Sequence, residues 1–215
     1  MSPPYSRAVA RTPSDIPLFE LPLVALPTER VPLHIFEERY KRMVAHCRSA
    51  EQPLAIMFRT DAGASRIGCA AEITEILEEF GDGRLNLIVT GRHRIRVLDR
   101  WDGEQFPMAA IETLPDPDQD DRGADPEAAL ASFRRLLEVV GSNAEPTEEM
   151  RSAFAIAARV EIAVETKQEL LETEGEAARL ELLRETLDGL TEQAVRARRL
   201  AKRAQSNGHA PVEGL

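Results

Sequence analysis

Much that would declare a chemistry is absent from this sequence. Among 215 residues there are two cysteines, one tryptophan and two tyrosines, and the only lysines are Lys41, Lys167 and Lys202. Cys47 and Cys69 form no CxxC pair, so a disulfide framework is excluded. Reduced, buried thiols in a cytoplasmic protein are expected instead. His34, Cys47, Cys69 and His93 are spaced like no common zinc site, so neither a metal nor a cofactor is expected. No apolar run reaches the length of a membrane span. The first fifteen residues, MSPPYSRAVARTPSD, hold three prolines and two arginines but no apolar stretch. They predict a flexible extension over 1–15, not a secretory signal. There is no GxxxxGK[ST] to cradle a phosphate. None of the lysines lies near a glycine-flanked serine that a Ser–Lys mechanism would use. The expectation is a protein that is not an enzyme.

Charge is unevenly distributed. The net charge is −10, and residues 101–150 alone carry −10. The acidity belongs mainly to the stretch LPDPDQDDRGADPE at 114–127 and its flanks. Overall acidity argues against a nucleic-acid partner, whose binding rests on neutralising phosphates. The acidic stretch itself reads as a solvated linker over 115–126, or less simply as a strip that meets a partner.

That linker divides two textures. Residues 16–114 read as β-rich. The segment IPLFELPLVALP is apolar and punctuated by prolines, which suits strand ends and edges. LAIMFRT (54–60) reads as a buried strand, HRIRVLDRW as a half-exposed strand, and FPMAAIETL as the last strand. IGCAAEITEILEEF (67–80) is ambiguous: Glu and Leu favour helix, whereas Ile73, Thr74 and Ile76 favour strand. The following GDG at 81–83 is a hairpin signal before RLNLIVTG. One helix interrupts this half, with Phe36, Tyr40, Met43, Val44 and Cys47 on its apolar face. Glu37, Glu38, Lys41, Arg42 and Arg48 lie opposite.

Residues 127–203 read as helical, and 204–215 as a flexible tail. A first helix shows Leu130, Phe133, Leu137 and Val140 on one face and ends at Gly141. Thr147 is a candidate N-cap for a long helix, or bent pair of helices, over 148–173. In the last helix Leu180, Leu183, Leu187, Leu190, Ala194, Ala197 and Ala201 follow a 3-4 spacing. That stripe packs on the protein's own bundle or forms a dimer seam, so a monomer or a weak dimer through this helix is expected.

Three stretches resemble, in order, the N-terminal substrate-binding domain of Lon proteases. IPLFELPLVALPTERVPLHIFEERYKRMV is similar to the opening of that domain. IGCAAEITEILEEFGDGRLNLIVTGRHRIRVLD is similar to its glycine-led hairpin, with Val89, Gly91 and Arg94 at the signature positions. VETKQELLETEGEAARLELLRETL (164–187) is similar to the helical part that closes it. The resemblance implies an α+β fold: a PUA-like mixed β pseudo-barrel with one interrupting helix, followed by a C-terminal helical bundle. It implies recognition of unfolded or exposed apolar polypeptide, and a stand-alone recognition domain without ATPase or peptidase. A protease or chaperone partner would then supply the engine.

Three constellations compete as sites. His46 and Cys47 are helix neighbours pointing about 100° apart, so a catalytic pair is not expected. Arg92, Arg94 and Arg96 alternate with His93, Ile95 and Val97, which puts the arginines on one strand face. That face is either an RNA stripe, since PUA-like folds bind RNA, or is paired with Glu72, Glu75 or Glu78 across the hairpin. Leu33, His34, Phe36, Glu37, Arg39 and Tyr40 combine an apolar segment with a polar rim. They are the preferred candidates for a polypeptide-binding groove.

Overall fold

The computed structural model describes residues 14–114 and 124–207, with side chains to 203. Residues 1–13 of the predicted 1–15 extension, 115–123 of the acidic linker and 208–215 of the predicted tail lie outside the described residues; Ser14 and Asp15 belong to the first strand, and 204–207 to the last helix.

The chain begins with β1 (Ser14–Leu21), β2 (Arg30–Ile35), α1 (Glu38–Ala50), β3 (Leu54–Thr60) and the two-residue β4 (Gly63–Ala64). The long β5 (Ile67–Glu79) and β6 (Leu85–Asp102) make a hairpin, and β7 (Pro107–Thr113) completes the β part. The sheet runs β1-β7-β6-β5-β3, and a parallel β1–β3 pairing closes it into a barrel. The barrel is filled by Ile16, Leu18, Ala55, Met57, Ala70, Ile95, Val97, Ala109 and Ile111. β6 is long enough to serve two neighbours. Its first half pairs with β2, and its second half with β7.

Alternation explains β2. Val31, Leu33 and Ile35 are buried while Arg30, Pro32 and His34 are exposed, the period of a half-buried strand. The buried set joins Met43, Val44 and Cys47 of α1 in a second core outside the barrel. The ambiguous 67–80 segment is a strand. Its acids face outward, and its hairpin partner pairs with it from Ile67 to Glu79.

Three expected helical segments differ from their pattern. α1 starts at Glu38 after the extended N-cap Glu37, so Phe36 lies before the helix and not on its buried face. In α2 (Glu127–Val140) the buried residues are Ala129, Ser132, Phe133 and Leu136, while Val140 is exposed. Gly141 ends α2 at φ 75°, a conformation glycine adopts without strain. Of the long helix or bent pair expected over 148–173, the structure has the pair, shorter than expected: α3 (Ala153–Ala157) and α4 (Val164–Glu172), with irregular chain between them. Ser152, not Thr147, is the cap: its side chain accepts from the Ala155 N–H.

The last helix, α5 (Glu176–Asn207), partitions its stripe. Leu180, Leu183 and Leu187 are buried in the helical core with Phe133, Phe154 and Leu170. Ala197, Leu200 and Ala201 are exposed. The first half of the stripe therefore packs on the protein's own bundle. No helix among the described residues is long and apolar enough to cross a membrane.

The barrel and the helices are joined by polar contacts around α4. Lys167 Nζ pairs with Glu29, whose other oxygen accepts from the Leu26 N–H at 3.0 Å. Gln168 donates to the Ile67 carbonyl at 3.1 Å. Arg94, 5% exposed, donates from β6 to the carbonyls of Leu171 at 3.0 Å and Thr173 at 3.2 Å. Arg179 also donates to Thr173 O, at 2.8 Å, and pairs with Glu176. Glu176 Oε1 accepts from the Ala153 N–H, which ties α5 to the start of α3. Within the described residues, the stretch KQELLE is thus a joint between the two parts of the molecule.

Candidate functional site

The preferred candidates sit where β2 runs into α1. The structure brings five of them to the surface and puts Leu33 in the core, 9% exposed. A groove floored by Leu33 is therefore corrected. Side chains alternate along β2, so the residue between two exposed neighbours must point inward. The apolar surface is instead made by Phe36, 60% exposed. The His34 ring stacks against it at 5.9 Å and meets the Phe80 ring edge-on at 6.2 Å. His34 Nδ1 lies 2.6 Å from Asn86 Oδ1, and Asn86 donates to Glu78 at 3.1 Å. This chain crosses the outer face of β2, β6 and β5 and holds the imidazole in place.

Leu77 lies at the same end of the hairpin. It is the extra residue of a β-bulge between Ile76 and Glu78 and is 53% exposed. Bulges re-aim side chains, and no periodic pattern announces them. Leu77 and Phe80 were accordingly invisible in the sequence. Clefts of about 460, 410, 300 and 290 Å³ exist elsewhere, and none is lined by the six candidates. The exposed apolar surface at β2–α1 is Phe36, with His34 against it and Phe80 beside His34.

The polar rim is ordered by its own contacts. Arg39 bonds Glu37 at 3.0 Å and lies 4.4 Å over the Tyr40 ring. Tyr40 packs its other side on Phe19 at 4.3 Å. Burial raises the Tyr40 pKa above its ordinary value, because the phenolate loses water there. Lys41 joins α1 to the hairpin turn, at 2.8 Å to Glu38 and 3.0 Å to the Asp82 carbonyl.

The three arginines do not form one face. Arg92 is the extra residue of a bulge between its neighbours Gly91 and His93, which breaks the alternation. It pairs with Glu72, as the hairpin reading expected. Arg94 is buried in the joint. Arg96 pairs with Glu112 of β7 at 3.3 Å, not with β5.

The remaining candidates stay apart. Cys47 is buried and its helix neighbour His46 is exposed, 3.2 Å from Gln52. Burial pushes the Cys47 thiol up to about 11 and the Cys69 thiol up to about 12. At neutral pH both are protonated, which is not the state of a nucleophile. Among the described residues no three His, Cys, Asp or Glu side chains gather as a metal site would need.

The model of the ATP-dependent protease La (LON) substrate-binding domain matches residues 15–189. The chain is 23% identical over 169 residues to Lon protease from Rhizobium meliloti (strain 1021), covering 70% of this chain and 21% of that protein. It is 27% identical over 196 residues to Lon protease from Paraburkholderia phytofirmans, covering 80% of this chain and 24% of that protein. The chain thus spans about a fifth to a quarter of the length of these relatives. Two solved structures share the fold. The Lon N-terminal domain protein from Xanthomonas campestris aligns with TM-score 0.61 at 23% identity, over 79% of this chain and 96% of that one. The N-terminal domain of the Mycobacterium avium complex Lon protease aligns with TM-score 0.60 at 18% identity, over 81% and 98%. The barrel, the joint and the helical part as far as residue 189 fall within the matched residues, and the chain belongs to the LON substrate-binding domain family.

Proposed function

We propose that this protein recognises unfolded or exposed apolar polypeptide without chemistry of its own, and presents it to a protease or chaperone. The observation that carries the reading is the exposed Phe36, with His34 stacked against it, Phe80 edge-on to His34, and the exposed Leu77 at the same end of the hairpin. An apolar side chain so exposed on a rigid scaffold marks an interaction surface when others flank it. Membership of a substrate-binding family supports the same reading. No observation favours the RNA reading: Arg92, Arg94 and Arg96 are each engaged by protein groups.

The test is a fluorescence anisotropy titration of the protein into a labelled, carboxymethylated polypeptide that cannot refold. Saturable binding that survives moderate salt is expected, since apolar contacts are not screened. Phe36→Ser weakens it about tenfold, the loss of roughly one buried aromatic contact. Absence of saturation at high micromolar protein overturns the proposal.

A further inference from the structure

Edge geometry at β2 suggests how the polypeptide is held. In the described residues β2 has a single partner strand, β6. The phase of that ladder is set by two observations. The Gly91 N–H donates to the Glu29 carbonyl at 2.9 Å, and the register runs on from Arg30↔Thr90 to Ile35↔Leu85. Antiparallel pairs alternate between bonded and non-bonded, so Val31, Leu33 and Ile35 bond β6. Pro32, which has no N–H to give, falls at a non-bonded position, as this phase requires. Arg30, Pro32 and His34 therefore turn their backbone groups away from β6. Their side chains are exposed on the outer face.

We infer that an extended polypeptide segment binds by adding a strand to the free edge of β2. This rests on the proposed recognition function and names its mode. The edge offers the N–H groups of Arg30 and His34 and the carbonyls of Arg30, Pro32 and His34. A chain without fixed structure has the complementary groups unpaired. Its alternate side chains would then lie beside Pro32, His34 and Phe36. Backbone bonds need no particular sequence, while the exposed Phe36 favours apolar residues. Pro32 removes one donor from the centre of the edge. Proline there limits indefinite strand-on-strand growth, so the edge suits a short client segment better than a second copy.

The test separates backbone from side chain. His34→Pro deletes an outward N–H without touching the ladder to β6. His34→Ala deletes the imidazole and keeps the N–H. Each variant is titrated with the carboxymethylated polypeptide, and folding is checked by its urea midpoint. The inference expects His34→Pro to weaken binding about tenfold and His34→Ala about threefold or less, as one or two lost backbone bonds imply. A synthetic segment N-methylated at alternate residues, in both phases, provides the second arm. One phase should bind about tenfold more weakly than the other. If the polypeptide binds but the two phases are equal and His34→Pro matches His34→Ala, strand addition is wrong and the recognition reading stands. If wild-type protein binds no polypeptide at all, both fall. Concentration-dependent dimerisation abolished by His34→Pro would assign the edge to a second copy and overturn the client reading.

Discussion

Replacing Gly91 by alanine should be among the most damaging single-methyl changes in this protein. The loop after β1 crosses β6 at this residue. Thr28 N–H donates to the Gly91 carbonyl at 2.9 Å, and the Gly91 N–H donates to Glu29 O at 2.9 Å. A Cβ on Gly91 would overlap the Leu26 carbonyl oxygen, 2.8 Å from its carbon and 3.0 Å from Cys69 Sγ. The obstacle is backbone, so the loop itself must move. Overpacking costs about 1–3 kcal/mol, and two weakened backbone bonds about 1 kcal/mol each. A loss of about 3–5 kcal/mol follows, a large share of the ~5–15 kcal/mol typical of a domain. Moving Leu26 also disturbs Glu29 and its pair with Lys167, so barrel and helices should loosen together. Urea unfolding followed by far-ultraviolet circular dichroism reads the loss. Gly189→Ala is the control. That glycine lies inside α5 with nothing within 4 Å of a built Cβ, so alanine should stabilise by about 0.5–1 kcal/mol. A Gly91→Ala loss below about 1 kcal/mol would refute the close-approach argument.

Other expectations follow from the same contacts. Arg94→Ala removes charge-assisted bonds to the Leu171 and Thr173 carbonyls. It should destabilise by about 3 kcal/mol or more, while RNA-binding assays should show no arginine-dependent signal. Leu33→Asp buries a carboxylate in the α1 core and should prevent folding, whereas Phe36→Ser should leave the urea midpoint unchanged. Cys47 and Cys69 should resist thiol reagents at pH 8 until denaturant is added. Their folded pKa values of about 11 and about 12 exceed the ordinary 9.0. Above pH 9 the unfolded chain therefore releases thiol protons that the folded chain keeps. Stability from this source is full below pH 9 and is lost as pH rises towards 12. A Cys47→Ala/Cys69→Ala variant should lose that part of the alkaline slope.

Periodicity made much of the architecture legible. The 3-4 spacing of Leu180, Leu183 and Leu187 reports a buried face, because that face of the helix is covered. What periodicity missed has physical reasons. Bulges at Arg92 and Leu77 each shift the face by one residue, so the arginine stripe dissolved and a leucine turned outward. Alanine and glutamate between 148 and 173 favour helix locally, yet the segment is broken to let α4 bond the barrel. The candidate site was legible as a place, the passage from β2 to α1, but not as a shape. The alternation of Val31, Leu33 and Ile35 turns Leu33 inward, away from any groove, whereas no pattern marks Phe36, beyond the strand, as exposed.

Amide hydrogen exchange of the protein with and without the carboxymethylated polypeptide tests the central claim most directly. Protection should appear at residues 30–36, strongest at the outward amides of Arg30 and His34, with the α2–α5 bundle unchanged. Protection confined to the helices or to the β6–β7 hairpin, with 30–36 unaffected, would contradict it.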